Sequence, residues 1–339
     1  MYNHDWKAID LGVELNGLRY VIVKRLLSPY KKFKKELEES QWFNSSKLEI
    51  LQTTKLRRLV RYAYENVPYY RNVFNKRGLF PEHIRYIDDL RKLPILEKDD
   101  IRKNYTDMVS RKIPKSLLYR CHTSGTMGKP LTLFRDLSNI AFEYALLARQ
   151  RSWAGIKDKE LYATLKGENF HTMKSVQADF WKLNLAERKL VMSSYHISEN
   201  NVRSYLEAFD KHNPIALDGY PSSIYALACL MKNRGVRYNL HAVLTSSETL
   251  MQSQRDLIED TFLCKVFDYY GLAERVVAIH TCEHGRYHFI PEYGITEFAP
   301  LSSDLRNNER EIIATSLTNF AMPLLRYRVG DVVVPSNEN

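Results

Sequence analysis

The stretch Ala242–Glu274, AVLTSSETLMQSQRDLIEDTFLCKVFDYYGLAE, decides the fold class. Ala242–Thr245 is a short apolar run of strand length, Met251–Thr261 carries a helical pattern, and Val266–Tyr270 is a second strand. Two strands joined by a helix of this length read as a βαβ unit with parallel strands. The pattern repeats upstream. Ser198 precedes a helix with Val202, Tyr205, Leu206 and Phe209 on one face, stopped by Pro214. Ile215–Leu217 reads as a strand, and Ser222–Arg234 as a helix closed by Gly235. The expected fold class is therefore α/β, mainly parallel sheets flanked by helices.

Character changes on either side of this core. Residues 1–110 read mainly as helix, with Leu56, Leu59, Val60 and Ala63 at i, i+3, i+4, i+7 and a break at Pro68. Ser116–His122 and Leu131–Arg135 read as strands around a polar loop, and Asp136 or Ser138 can cap a helix running to about Arg151. After about residue 285 come short β-like segments at Tyr287–Ile290, Ile295–Phe298, Glu311–Ala314 and Asp331–Val334, read as an antiparallel appendage. The division expected is a helical segment 1–110 packing on the core, an α/β core 111–285, and a β-rich end 286–339.

Composition narrows the class. In 339 residues there are only 13 Gly and 12 Pro, which excludes collagen-like and linker-dominated chains. Cys121, Cys229, Cys264 and Cys282 are widely spaced, so the expectation is reduced thiols in the cytoplasm. No run approaches the ~20 apolar residues that cross a bilayer. The formal charge is +10, and part of it sits early: Arg19, Lys24, Arg25, Lys31, Lys32, Lys34 and Lys35 come with no acid among them. Residues 18–35 can form a basic amphipathic helix on an anionic inner-membrane face, or a packed helix with a solvated basic side. No nucleic-acid-binding pattern accompanies the charge.

Three segments carry chemistry. In Thr123-Ser124-Gly125-Thr126-Met127-Gly128-Lys129-Pro130, glycines let backbone N–H groups approach an anion, hydroxyls add donors and Lys129 adds charge. The spacing is not that of a Walker A loop, and an ordinary polar hairpin reads equally well. Asp268-Tyr269-Tyr270-Gly271-Leu272-Ala273-Glu274 follows a strand, where α/β sheets bind ligands; a tyrosine can flank a purine and a carboxylate can hold Mg²⁺. Met322-Pro323-Leu324-Leu325-Arg326-Tyr327-Arg328-Val329-Gly330-Asp331 ends in an acid after a glycine turn, suited to a ribose diol or to its own backbone. Near the second segment, His280, Cys282, His284 and His288 make a possible zinc set without a paired CxxC pattern.

In this order and spacing the three segments resemble the adenylate-forming (AMP-forming acyl/aryl ligase) superfamily, and within it the phenylacetate–CoA ligase/CapK-like branch, whose members often serve polysaccharide biosynthesis. Asn66-Val67-Pro68-Tyr69-Tyr70-Arg71, Leu93-Pro94-Ile95-Leu96-Glu97-Lys98, Asp218-Gly219-Tyr220-Pro221-Ser222-Ser223 and Ser246-Ser247-Glu248-Thr249-Leu250 extend the resemblance over about residues 50–335. It implies ATP-dependent activation of a small carboxylic acid to an acyl-adenylate, with ATP/AMP and Mg²⁺ as cofactors, CoA as one possible acceptor and zinc a further candidate.

Carried over, Thr123, Ser124, Gly125, Thr126, Gly128 and Lys129 would orient the phosphates, with Thr126, Lys129 and Glu274 catalytic. Ser246, Ser247 and Glu248 would sit beside the adenine, mostly through backbone groups. Tyr269, Tyr270 and Gly271 would pack on the nucleotide, Glu274 would hold Mg²⁺ and Asp331 the ribose. Tyr220 and Pro221 would wall the acyl pocket, and Cys282, His288 and His280 would be the zinc ligands. Two departures stand out. Ala273 occupies a position where the family usually has Thr or Ser, which reads as a trait of the subfamily. The chain also stops eight residues after Asp331, so the family's hinge and lysine-bearing C-terminal domain are expected to be absent, with nucleotide binding kept and adenylation weakened. The competing expectations are a non-catalytic nucleotide- or acyl-binding remnant, and a membrane-surface adaptor of a polysaccharide assembly complex.

Overall fold

A computed structural model describes residues 18, 21, 22, 29–123, 130–168, 180–301 and 308–336. The chain divides into two compact units. One is built mainly from Leu146–Tyr270 and Ile279–His288, and the other from Tyr30–Ala145, Gly271–Ala278 and Phe289–Asn339.

In the second unit the chain begins with helices α1 (Tyr30–Ser40), α2 (Ser45–Asn66), α3 (Pro68–Lys76) and α4 (Lys98–Lys103). Lys32, Lys34 and Lys35 of α1 pair with Glu36, Glu38 and Glu39 one turn on, and Phe33 stacks edge-to-face on Phe142 with centroids 5.2 Å apart. Over Tyr30–Ser40 this is the packed helix with a solvated charged side. The rest of the basic stretch 18–35 lies largely outside the described residues, and no described helix is long and apolar enough to cross a membrane. Asn44 caps α2, its side chain accepting from Lys47 N at 3.0 Å. Leu56, Leu59, Val60 and Ala63 are fully buried, as their spacing predicts. Pro68 ends α2 and starts α3 at the position where its missing N–H costs nothing. Tyr70 of α3 then ties the helices to the distant Met322–Leu325 segment. Its hydroxyl donates to Pro323 O (3.0 Å) and accepts from Leu325 N (2.9 Å).

Strands β1 (Tyr119–His122) and β2 (Thr132–Arg135) pair antiparallel as a hairpin. Helix α5 (Leu137–Trp153) follows, and of its two candidate caps Asp136 has the geometry, Oδ1 accepting from Asn139 N at 2.7 Å.

The first unit holds the sheet. Its strands are β3 (Tyr162–Lys166), β4 (Trp181–Asn184), β5 (Lys189–Ser193), β6 (Ala216–Gly219), β7 (Ala242–Ser246), β8 (Lys265–Gly271), β9 (Ala278–Thr281) and β10 (Tyr287–Phe289), in the order β10-β9-β8-β7-β6-β3-β5-β4. Pairs β5–β3, β3–β6, β6–β7 and β7–β8 are parallel, and β4 adds an antiparallel edge. The crossovers are α6 (Val202–His212), α7 (Pro221–Asn233) and α8 (Gln252–Phe262). Their buried Tyr205, Phe209, Leu227, Ile258 and Phe262 cover one face, over Leu165, Leu217 and Val243. Ala154 and Ile156, just past α5, pack on the other, over Ala216, Leu244 and Phe267. Burial on both faces is why these strands read as continuous apolar runs without alternation.

The late β-region is a three-stranded antiparallel sheet, β11 (Gly294–Pro300), β12 (Arg310–Ser316) and β13 (Tyr327–Val333). The last strand differs from the expectation of a glycine turn followed by Asp331–Val334. β13 runs straight through Gly330, whose φ of 89° sits at a register shift opposite Glu311/Ile313. A bulge, which glycine adopts without steric cost, replaces the turn.

Candidate functional site

In the unit carrying the hairpin, two of the three sequence segments meet, and the stem of the third joins them. Glu274 is buried, and Tyr327, the first residue of β13, donates its hydroxyl to Glu274 Oε1 at 2.8 Å. Burial, then the adjoining carboxylate, pushes the Tyr327 hydroxyl far above its ordinary range, so it stays a donor. Asp331 lies four residues further along the same strand. Tyr327 is held in turn by Leu96. Leu96 N donates to Arg326 O (2.9 Å) and Arg328 N to Leu96 O (3.0 Å). The flanking arginines point elsewhere. Arg326 makes a two-bond contact with Glu297 (3.0 and 2.9 Å), and Arg328 pairs with Glu97 (2.8 Å) and Glu311. The alternation in Leu325-Arg326-Tyr327-Arg328-Val329 is the signal for an inward Tyr327, a residue to which the sequence reading assigned no role.

The Ala273–Arg275 corner is fixed from the hairpin side. Arg135, the last residue of β2, donates to Ala273 O. Arg275, with φ of 54°, donates to Asn139 O and Oδ1 (3.2 Å each) and lies 3.8 Å from Glu143. Ala273 therefore contributes its backbone here, whatever its side chain. Thr123 closes the hairpin stem through Thr123 N to Leu131 O (3.0 Å) and Leu131 N to Thr123 Oγ1 (2.9 Å). Ser124, Gly125, Thr126, Gly128 and Lys129 lie outside the described residues. Cys121 is in β1, where burial raises its thiol while Arg135 and Arg275 draw it down.

The sheet unit holds the other expected residues at strand ends. Ser246 ends β7, Ser247 has φ of 72°, and Glu248 Oε2 accepts from Ser222 N at 3.0 Å, capping α7. That leaves the backbone of Ser246–Glu248, not the Glu248 carboxylate, for a ligand. Tyr220 is the N-cap of α7 and Pro221 its first residue. Tyr270 and Gly271 end β8, with Tyr270 half-buried and the boundary between units falling between the two. Tyr269 sets its ring edge against His280 (centroids 4.8 Å). Asp268 is committed to the scaffold. Thr245 Oγ1 donates to it at 2.6 Å and Tyr287 hydroxyl at 2.9 Å.

The zinc expectation is corrected. Among the described residues no group of three or more His, Cys, Asp or Glu is placed to hold a metal. His280 is fully buried between Trp153 and Tyr269, where burial and then Arg149 keep it neutral, while His288 Nε2 lies 3.2 Å from Cys282 Sγ. Magnesium fits better. Glu274 uses one carboxylate oxygen on Tyr327 and receives no hydrogen bond on the other from a described residue; carboxylate oxygens are the donors that Mg²⁺ takes.

No family model matches the chain. CapK of Staphylococcus aureus is 26% identical over 341 residues, covering 100% of this chain and 73% of CapK. Phenylacetate–coenzyme A ligases of Aromatoleum evansii and Thermus thermophilus are 26% and 27% identical, covering 88% and 84% of this chain and 68% and 65% of theirs. The crystal structure of 2-hydroxyisobutyryl-CoA ligase with R3-HIB-AMP superposes with a TM-score of 0.66 at 17% identity, over 87% of this chain and 65% of that one. The chain thus spans about two thirds to three quarters of the length of these relatives. By sequence the chain is homologous to CapK and the phenylacetate–coenzyme A ligases, and it shares its fold with 2-hydroxyisobutyryl-CoA ligase.

Proposed function

We propose that the chain binds ATP and a small carboxylic acid and serves the activation of that acid to an acyl-adenylate. The observation that carries this reading is the Glu274–Tyr327 hydrogen bond. It joins the Tyr-Gly-x-x-Glu corner to the strand that carries Asp331, in a chain homologous to acid–CoA ligases over most of its length.

An oxygen of the acid attacks the α-phosphorus, the bond from that phosphorus to the bridging oxygen breaks, and pyrophosphate leaves. Both reactants are anions, so positioning and charge neutralisation dominate the barrier. Lys129 and the hydroxyls of Thr123, Ser124 and Thr126 take the phosphates in this reading. The backbone of Ser246–Glu248 and the ring of Tyr270 take the adenine, Asp331 the ribose, and Tyr220 and Pro221 the acyl group. Glu274 would hold Mg²⁺, which when bound neutralises polyphosphate charge. Tyr327 keeps the Glu274 carboxylate oriented, and Arg135 and Arg275 keep its backbone in place. Transfer of the acyl group to CoA, and a place in polysaccharide biosynthesis, extend the same reading. Homology with phenylacetate–coenzyme A ligases across 84–88% of the chain favours it over a binding remnant or a membrane adaptor.

The test is carboxylate-dependent ATP–pyrophosphate exchange, with nucleotide affinity measured in parallel. Wild type is expected to bind ATP and to exchange with at least one acid of a panel that includes phenylacetate. Glu274→Gln and Asp331→Asn are each expected to lose at least about tenfold. Exchange at wild-type rate in both variants would overturn the assignment.

A further inference from the structure

A second polar constellation lies in the sheet unit. Lys166 is the last residue of β3 and Asp218 the third of four in β6. The strands are parallel, with Thr164 beside Asp218 and Leu165 beside Gly219, so Lys166 and Asp218 share the face opposite the buried Leu165 and Leu217. Lys166 Nζ lies 2.9 Å from Asp218 Oδ1, and the Arg151 guanidinium lies 3.4 Å from Oδ2. The carboxylate is the inner group, its side chain 13% exposed, and the ammonium the outer, at 34%. Burial opposes the charge on Asp218, but Lys166 and Arg151 outweigh it and hold the acid below its ordinary range.

The position is what gives the cluster a use. Ligands of open α/β sheets sit beyond the C-terminal ends of parallel strands. Tyr220 and Pro221, assigned above to the acyl group, follow Asp218 by two and three residues. A hydroxyl comes to the same end. A Cβ on Gly167, next to Lys166, would fall 2.7 Å from Tyr195 Oη, so the end of the Tyr195 side chain rests against the backbone just past β3. An ammonium has three hydrogens to donate, and Asp218 takes one. A bare phenyl or alkyl terminus packed here would strip water from Lys166 and offer no acceptor, which sites built around polar groups reject strongly.

We propose that Lys166, seated by Asp218 and Arg151, reads the far end of the acid substrate. The substrate is then a carboxylic acid bearing a second acceptor oxygen, a hydroxyl or another carboxylate, and not an unsubstituted aryl or alkyl acid. This rests on the acid-activating reading above. The experiment is titration calorimetry on the full chain with AMP present, using two matched pairs: 4-hydroxyphenylacetate against phenylacetate, and succinate against butanoate. Within the pair that fits the pocket, the oxygen-bearing acid is expected to bind at least about 100-fold more tightly. Lys166→Met is expected to cut that preference below about threefold with nucleotide affinity unchanged, and Lys166→Arg to keep most of it. Tighter binding of phenylacetate or butanoate than of its partner overturns the inference. So does a Lys166→Met variant that weakens nucleotide and acid alike, the mark of a merely structural ion cluster. Failure of wild type to bind nucleotide overturns the acid-activating reading instead, so the nucleotide titration tells the two failures apart.

Discussion

Tyr327→Phe isolates the contact on which the site depends. The substitution deletes one oxygen and keeps the ring in a fully buried place, so the packing around it should survive. What disappears is the 2.8 Å hydrogen bond to Glu274 Oε1. A hydrogen bond to a charged partner contributes about 1.5–3 kcal/mol. If that energy orients the carboxylate toward a cation, its loss appears as weaker Mg²⁺ binding by about 10- to 150-fold. Removal of groups that orient metal-binding carboxylates typically costs about 10- to 100-fold, which brackets the same range. The assay is the Mg²⁺ concentration giving half-maximal ATP–pyrophosphate exchange, or half-maximal ATP affinity in a titration. Far-ultraviolet circular dichroism at the assay temperature confirms that the variant is folded. Saturating Mg²⁺ should restore most of the lost signal in Tyr327→Phe, and little of it in Glu274→Gln. A Tyr327→Phe protein with wild-type Mg²⁺ dependence would refute the reasoning, since Glu274 would then be indifferent to its buried partner.

Two further outcomes follow from the scaffold. Tyr70→Phe strands Leu325 N and Pro323 O in the interior of the helical unit, so urea unfolding should show a loss of about 2–3 kcal/mol, and a loss below about 0.5 kcal/mol would contradict the tie. His280 is buried and held neutral, so the unfolded chain takes up a proton near pH ~6.5 that the folded chain refuses. Its contribution is complete above that pH and is lost as pH falls, by up to about 1.4 kcal/mol per unit. His280→Phe should remove this slope between pH about 6.5 and 5, and parallel stability curves for the two proteins would count against it.

Much of the architecture was open to a reading of local pattern. The βαβ repeats between Ser198 and Tyr270 form within one or two residues of where apolar runs and helix stops place them, because period and capping are properties of neighbours along the chain. The same holds for the Leu56–Ala63 stripe and the break at Pro68, while the choice of Asp136 over Ser138 as a cap came from the structure. Where a local reading failed, a long-range partner had intervened. Gly330 reads as a turn until β12 pairs with residues on both sides of it and makes it a bulge. His280 reads as a metal ligand until the interior closes around it.

Sequence alone settled the α/β class, the order of the elements and the family resemblance, because hydrophobic period, caps and motif spacing are written in consecutive residues. Tertiary structure alone decided which side chains meet. Glu274 and Tyr327 are 53 residues apart, and Lys166 and Asp218 face each other only because the strand order sets β6 beside β3. Those partnerships depend on strand order and on what the core buries, and neither is a local property of the chain.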